Sequence, residues 1–300
     1  MRISLRVIEE PEALLAVEEL QRQVWGGSET EVVPKHMLVA AIHNGGLVVG
    51  AYDEDSGEDP HLVGFVFGFP GLYATPDGPR LKHCSHMLGV HPAYRDQGIG
   101  FLLKRAQWQL VRNQGLDRIT WTFDPLLSRN AYLNISSLGA VCNTYLRAVY
   151  GVMRDGINTG LPSDRLQVDW WVNSQRVNLR LSRRARLSLD LAHYLAAGAQ
   201  VINATQVGED GLPRPGSEIG AGDLQNLRAD GPSAILLLEL PADFPGLKTA
   251  RPELALHWRF HIRQAFEELF SLGYLVTDFI HLPGLQSRSF YVLTHGESTL

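Results

Sequence analysis

The sequence has few cysteines, no long apolar run and no excess of positive charge, and each absence narrows the functions open to it. Its two cysteines, Cys84 and Cys142, lie far apart without neighbouring metal ligands, which argues against a disulfide framework or a metal site. We interpret both as buried thiols in a reducing compartment. No stretch of about 18 apolar residues occurs, and the N-terminal MRISLRVIEE lacks the apolar core of a signal peptide. We therefore expect a cytoplasmic protein without membrane contact.

The overall charge argues against nucleic acid as a partner. The formal net charge is −5, with a pI near 6.1, so there is no chain-wide basic surplus to neutralise a phosphate backbone. Hydrophobic residues make up 45% of the chain and charged residues 20%, as in packed globular enzymes. The 300 residues suit one large domain or two moderate ones, and a homodimer is compatible with the sequence.

Hydrophobic periodicity predicts the element order βααβββαβαβ for the first 150 residues. Residues 70–80 read as a turn-rich stretch. The predicted strands are 2–8, 47–52, 62–69, 81–90, 119–123 and 141–150, and the predicted helices begin at Pro11 and cover 34–44, 99–113 and 128–138. The second half alternates less regularly, with predicted helices at 184–197 and 252–272 and strands at 200–206, 234–240, 274–281 and 289–295.

The segment MLGVHPAYRDQGIGFLLKRA carries the strongest functional signal. A strand ending at Val90 leads through a loop into a helix that begins at Ile99, with Gly98 and Gly100 at the junction. A helix N-terminus offers unpaired N–H groups and partial positive charge, and glycine lets a pyrophosphate approach closely. Taken alone, such a loop is as often only a turn.

In its context, however, this segment resembles the GNAT superfamily of CoA-dependent N-acyltransferases. The pattern V-x-P-x-x-R-x-x-G-x-G matches the superfamily motif Q/R-x-x-G-x-G/A at Arg95, Gly98 and Gly100. The likeness covers residues 1–150 by element order and is sharp over about 85–105. It implies an α/β (α+β) fold, with a mixed central sheet flanked by helices. It also implies direct attack of an amine on the acyl-CoA thioester, with neither a covalent enzyme intermediate nor a metal.

The resemblance also implies a set of CoA-binding residues. Backbone amides of the loop would hold the pyrophosphate, the end of the preceding strand would hold the pantetheine arm, and a main-chain N–H near Val90 would polarise the acyl carbonyl. Two further residues, Ser128 and Asn130, would also contribute. The pyrophosphate residues are Arg95, Asp96, Gln97, Gly98, Ile99, Gly100 and Phe101, and the pantetheine residues are Leu88, Gly89 and Val90.

The family pattern does not transfer fully to residues 128–139. Aligned on its terminal Leu-Gly, the pattern places Ser128 where Asn is usual and Ile135 where a Tyr general acid is usual. Tyr132, Asn134, Tyr145 or water could return the proton instead.

Histidine is the residue type best suited to act as the base. A neutral imidazole titrates in the useful range, and we favour His86 over His83 because it lies nearer the predicted acyl site. Asp124 is a third candidate. The candidate catalytic residues are therefore His86, Asp124 and Tyr132.

Charged side chains outside the motif have less definite roles. We expect Lys104, Arg105 and Arg112 to form a solvated helix face, the alternative being contact with the CoA 3′-phosphate.

Trp170 and Trp171 could line an acceptor site, although at least one should pack in the core. Four arginines could pair with a carboxylate of the donor or acceptor: Arg147, Arg154, Arg165 and Arg176.

The chain as a whole is similar to extended GNAT proteins with a second α/β region. We expect an acyl-CoA domain over 1–175 and a region shaping the acceptor site over 176–300. The donor would be acetyl-CoA or succinyl-CoA, and the acceptor the amine of a small molecule such as an amino acid. The alternative is a non-catalytic acyl-CoA-binding or regulatory protein, which the missing acid at Ile135 would explain.

Overall fold

The computed structural model describes residues 1–26, 29–57, 60–151, 160–182, 189–216, 235–284 and 286–295. These residues fall into two compact units. Of the described residues, the first unit contains those within 1–121 and 170–173, and the second contains those within 122–151, 160–169 and 174–295. The division into domains at 1–175 and 176–300 stays a prediction.

The first unit contains an antiparallel sheet that ends in one parallel pair. Its strands follow the order β1-β2-β3-β4-β5, with only β4 and β5 parallel. The last two residues of β5 belong to the second unit. The elements are β1 (Ile3–Val7), α1 (Ala13–Trp25), α2 (Lys35–His43), β2 (Leu47–Asp53), β3 (His61–Thr75), β4 (Gly78–Val90), α3 (Ile99–Asn113) and β5 (Arg118–Phe123).

The apolar periodicity of α1 explains how this unit packs. Leu14, Val17 and Leu20 recur at a spacing of three, so they lie on one side of the helix and are buried. Their cluster includes Leu38 of α2 and Phe65 of β3. The order of elements predicted from the sequence is the order observed.

The hairpin of β3 and β4 is longer than predicted. Residues 70–80 were expected to form turns, but pairing continues through Pro70↔His83 to Thr75↔Gly78. Turn-forming composition is a local preference, and the ladder between two long strands overrides it here. Strand β4 therefore begins at Gly78 rather than at Leu81.

The second unit contains a sheet with the order β7-β6-β12-β13-β11-β8 and a separate pair, β9 and β10. The last two residues of β7 belong to the first unit. The elements are α4 (Ser128–Ala131), a π-helix (Tyr132–Ser137), β6 (Val141–Leu146), β7 (Arg165–Trp171), α5 (Gln175–Leu181), α6 (Leu191–Ala196), β8 (Gln200–Val201), β9 (Gln206–Val207), β10 (Pro213–Arg214), β11 (Leu236–Pro241), α7 (Phe244–Ala250), α8 (Pro252–Ser271), β12 (Tyr274–Leu282) and β13 (Arg288–His295).

Several predictions for the second unit were wrong in detail. Helices α5 and α7 were not predicted, because a seven-residue helix has too few apolar positions to show a period. Of the helix predicted over 184–197, the described part is helical only at Leu191–Ala196, and 183–188 lie outside the described residues. The predicted helix 128–138 is a short α-turn followed by the π-helix.

Within the part of the chain that the structure describes, no helix has both the length and the apolar character needed to cross a bilayer.

Candidate functional site

Strands β4 and β5 separate shortly after they begin to pair. Their parallel register joins His83 to Ile119 and Cys84 to Thr120, and among the described residues β5 pairs with no later residue of β4. Strand β4 nevertheless continues to Val90, paired on its other side with β3. The backbone of Leu88 to Val90 is therefore left beside a gap in the sheet, as expected for a strand edge that binds an extended ligand.

A β-bulge at His86 changes the direction of β4 inside this gap. Phe67 pairs with Met87 and Gly68 with Ser85, so His86 has no cross-strand partner. The residue is exposed, and its ring lies 5.9 Å from that of Phe67 and 5.8 Å from that of Phe69. Desolvation on this aromatic side lowers the pKa of His86 below its usual value, so the ring is neutral near pH 7 and able to accept a proton.

The loop after β4 presents the start of α3. Gly98 caps the helix with φ 77°, in the left-handed region, and the first bond of the helix runs from the Leu102 N–H to the Gly98 carbonyl at 3.1 Å. The N–H groups of Ile99, Gly100 and Phe101 therefore have no carbonyl one turn earlier. A Cβ at Gly98 would meet no atom within 4 Å. An open helix N-terminus of this kind fits a pyrophosphate.

Arg95 stabilises the loop through its side chain. Its Nε donates to the Val90 carbonyl at 3.5 Å, and its Nη2 donates to the Val24 carbonyl at 3.3 Å. The guanidinium thus connects the end of β4, the loop and the end of α1. Asp96, with φ 64°, and Gln97 are exposed, whereas Gly89 is packed where a Cβ would lie 2.8 Å from a ring atom of Phe65.

Comparison with known proteins agrees with this geometry. The sequence pattern of the acetyltransferase (GNAT) family matches residues 14–132, a segment that includes the gap in the sheet, the bulge and the glycine loop. These residues form a GNAT acetyltransferase domain. The family uses acetyl-CoA as its acetyl donor, and the α+β architecture with a mixed sheet is the one expected for it.

Solved structures resemble only part of the chain. The ribosomal-protein-S18-alanine N-acetyltransferase of Escherichia coli is 12% identical, with 62% of this chain and 100% of that chain covered and a TM-score of 0.43. Aminoglycoside 6′-acetyltransferase type Ii is 19% identical, with 58% and 99% covered and a TM-score of 0.43. Among curated proteins, none matches the sequence significantly.

Lys104 of the acetyltransferase domain is buried, and its predicted place on a solvated helix face was wrong. The residue is 1% exposed, and its Nζ donates to Ser85 Oγ at 2.8 Å and to Gln107 Oε1 at 3.1 Å. The ammonium lies 3.5 Å from the centroid of the Trp121 ring. Burial holds the pKa of Lys104 well below its usual value. Arg112 is exposed, as predicted.

His83 lies beside the polar side chains of Lys104, Ser85 and Gln107, and it is buried as well. Its Nε2 is 3.1 Å from Gln107 Nε2, and its Nδ1 has no hydrogen-bond partner within the described ranges. Burial, assisted by the Lys104 charge, lowers the pKa of His83 to about 3.

The acetyltransferase domain should lose stability in acid because of His83. Below pH 6.5 His83 is protonated in the unfolded chain, whereas in the folded protein it stays neutral until about pH 3. The free energy of unfolding therefore falls as the pH drops across that window, by roughly 1.4 kcal/mol per pH unit at most. His83→Asn should flatten this part of a urea-unfolding pH profile. The exposed His43 gives the control His43→Asn, and equal profiles for both variants would contradict the assignment.

The remaining predicted site residues belong to the second unit. Asp124 is 8% exposed, accepts from the Leu126 N–H at 2.9 Å and pairs with Arg259 at 2.6 Å. The Ser128 hydroxyl donates to the Pro241 carbonyl at 3.2 Å, Asn130 is half-buried, and Tyr132 is 50% exposed. Their roles stay predictions.

The alternative acids differ in accessibility. Asn134 is buried, as is Ile135. The Tyr145 hydroxyl donates to Asp164 Oδ2 at 2.8 Å, and burial, followed by the Asp164 charge, raises the pKa of Tyr145. Tyr132 is thus the most exposed of these side chains.

The four arginines proposed to bind a carboxylate have different surroundings. Arg147 pairs with Glu267, and Arg176 donates to the carbonyls of Gly139 and Thr277. Arg154 lies outside the described residues. Arg165 is buried beside Asp124, at 3.8 Å.

Both cysteines and one of the paired tryptophans were predicted to be buried. Cys142 is buried, whereas Cys84 is half-buried, and both are free thiols. Trp170 is buried and meets Trp121 edge to face at 5.6 Å between ring centroids, which confirms the core role expected for one of the paired tryptophans.

Proposed function

We propose that this protein transfers an acetyl or succinyl group from CoA to the amine of a small molecule such as an amino acid, without a metal. The observation that supports it most directly is the left-handed Gly98 at the start of α3. It leaves the N–H groups of Ile99, Gly100 and Phe101 available. The edge of β4 that lacks a β5 partner begins a few residues before this loop.

Acyl-CoA supplies an activated thioester, and the protein positions it. The backbone amides of 95–101 would hold the pyrophosphate, and the backbone of 88–90 would hold the pantetheine arm and polarise the thioester carbonyl. Ser128 and Asn130 would add contacts to CoA. The amine then attacks the thioester carbonyl, the C–S bond breaks, and CoA leaves as a thiolate.

His86 is the base we assign to this reaction. The bulge places it on the β4 segment beside the gap, and the lowered pKa keeps its imidazole able to accept the ammonium proton. Tyr132, exposed at the start of the π-helix, is the candidate that returns a proton to the thiolate. Asp124 is already paired with Arg259, and we place it third.

The test is free-thiol release from acetyl-CoA and succinyl-CoA against L- and D-amino acids and polyamines, with calorimetric CoA binding measured alongside. Amine-dependent release supports the enzyme and identifies the donor and acceptor classes. CoA binding without release across the panel favours the alternative, a regulatory acyl-CoA-binding protein. Failure to bind CoA would contradict both.

His86→Gln should lower kcat by about a hundredfold or more, because a general base contributes about 10²–10⁴. CoA affinity should stay within a few-fold, and the acid limb of the kcat–pH profile should disappear. The matched control is His61→Gln, at an exposed position of β3, which should behave as wild type. An unchanged kcat in His86→Gln would reject His86 as the base, and Tyr132→Phe tests the proposed acid in the same assay.

A further inference from the structure

The side chain of Lys104 lies at the point where β4 and β5 separate. Among the described residues, the last pair of the β4–β5 ladder joins Cys84 to Thr120. The next residues on the two strands are Ser85 and Trp121. Lys104 Nζ donates to Ser85 Oγ at 2.8 Å and lies 3.5 Å from the centroid of the Trp121 ring. A single side chain of α3 therefore contacts both strands where the gap between them begins.

The same contact adjoins the β-bulge at His86. Ser85 immediately precedes the bulged residue and pairs with Gly68 of β3. Gly68 is closely packed, because a Cβ there would lie 2.2 Å from Nε2 of the His83 ring. That ring nitrogen is 3.1 Å from Gln107 Nε2, and Gln107 Oε1 accepts from the same lysine at 3.1 Å. Side chains of α3 therefore hold the residues of β4 that lead into the bulge.

A lysine is an unusual choice for this position. It is 1% exposed, and its two hydrogen-bond acceptors are an uncharged hydroxyl and an uncharged amide. Buried lysines are rare, and residues that break such a rule are concentrated at functional sites. We propose that Lys104 is a positioning residue, which fixes the β4 bulge and so holds His86 beside the gap between β4 and β5. Its contribution to catalysis rests on the proposed function, in which His86 is the base.

Amide hydrogen exchange of residues 83–87 tests this role without requiring acyl transfer. Lys104→Met should speed exchange there by about tenfold, near 1.4 kcal/mol in local opening, because the bonds from Nζ to Ser85 and Gln107 are lost. Loss of a buried charge should stabilise the domain as a whole, so faster exchange confined to 83–87 would not come from global unfolding. Arg112→Met, at an exposed position of α3, is the control and should leave this exchange unchanged.

Ser85→Ala tests the same contact from the strand. It removes the acceptor on β4, while Lys104 keeps its bond to Gln107. Exchange of 83–87, measured relative to amides of α3, should again be about tenfold faster. The double variant should exchange no faster than the single variants, because both remove one interaction. This second variant keeps the test decisive if Lys104→Met folds poorly.

Turnover provides a separate readout of the effect on His86. In the amine-dependent assay, Lys104→Met should lower kcat by about tenfold, because a displaced base transfers protons less efficiently. CoA affinity should stay within a few-fold. In the His86→Gln background the same substitution should lower kcat no further. A wild type without turnover would count against the proposed function, whereas the exchange measurement would still test the role of Lys104.

Three results would overturn the proposal. The first is unchanged exchange of 83–87 in folded Lys104→Met and Ser85→Ala. The second is an unchanged kcat in Lys104→Met when His86→Gln lowers it. The third is an equal loss of kcat from Lys104→Met with and without His86, since the lysine would then act independently of the bulged residue.

Discussion

Replacing Gly98 with valine is expected to lower CoA affinity by at least about a hundredfold. Gly98 begins α3 with φ 77°, a conformation that costs an ordinary L-residue roughly 1–2 kcal/mol and a β-branched one more. The loop should relax this strain by turning, which moves the N–H groups of Ile99, Gly100 and Phe101 out of alignment. Each charge-assisted hydrogen bond contributes about 1.5–3 kcal/mol, so losing two accounts for the predicted change. Calorimetric titration with CoA measures it.

The other end of the same helix supplies the control. Gly115 has φ 78°, and a Cβ there would also meet no atom within 4 Å. Gly115→Val should therefore lose similar stability but keep its CoA affinity. A third variant, Gly98→Asn, adds a side chain that tolerates the left-handed region, which separates backbone strain from obstruction. Wild-type CoA affinity in Gly98→Val would disprove the role of the loop.

Replacing Lys104 with methionine is expected to raise the free energy of unfolding by about 1–3 kcal/mol at neutral pH. The ammonium is 1% exposed, and no carboxylate within 4.0 Å of it occurs among the described residues. The Ser85 hydroxyl also donates a hydrogen bond to Gln107 Oε1 at 2.9 Å. Both side chains therefore keep a hydrogen-bond partner when methionine replaces Lys104. Urea unfolding of wild type and variant gives the difference.

The pH dependence identifies the cause of this stabilisation. The pKa of Lys104 in the folded protein lies below its value of 10.5 in the unfolded chain. At a pH between these two pKa values the unfolded chain therefore binds more protons than the folded protein, and the free energy of unfolding of the wild type rises with pH. The advantage of Lys104→Met should therefore shrink towards pH 10.5. Arg112→Met, at an exposed position of the same helix, should change stability by less than about 0.5 kcal/mol. A less stable Lys104→Met would mean that the contact with Trp121 outweighs the cost of burial.

The glycine loop could be predicted because its signal is local. Arg95, Gly98 and the start of α3 lie within a few residues, and the backbone geometry of a helix N-terminus depends mainly on those residues. The same holds for α1, a helix that could be predicted because its apolar residues recur within a few positions of one another. The role of the Arg95 side chain in connecting Val90 to Val24 could not be predicted, because Val24 is 71 residues away.

A polar residue on a buried helix face was one source of error. Lys104 was assigned to solvent because a lysine on an amphipathic helix usually lies there. Its position three residues before Gln107 places both on the core side, and only the packing of Ser85 and Trp121 around the ammonium makes that placement acceptable.

By itself the sequence determined the order of the elements in the first unit, the glycine loop, and hence the acetyltransferase family of residues 14–132, because periodicity and helix-start signals act over a few residues. The tertiary structure decided the length of the β3–β4 hairpin, the bulge that isolates His86, the burial of Lys104, and the partnership of Asp124 with Arg259 across 135 residues. Burial and ion pairing depend on which distant segments of the chain come into contact, and the spacing of residues along a short stretch of sequence does not determine that.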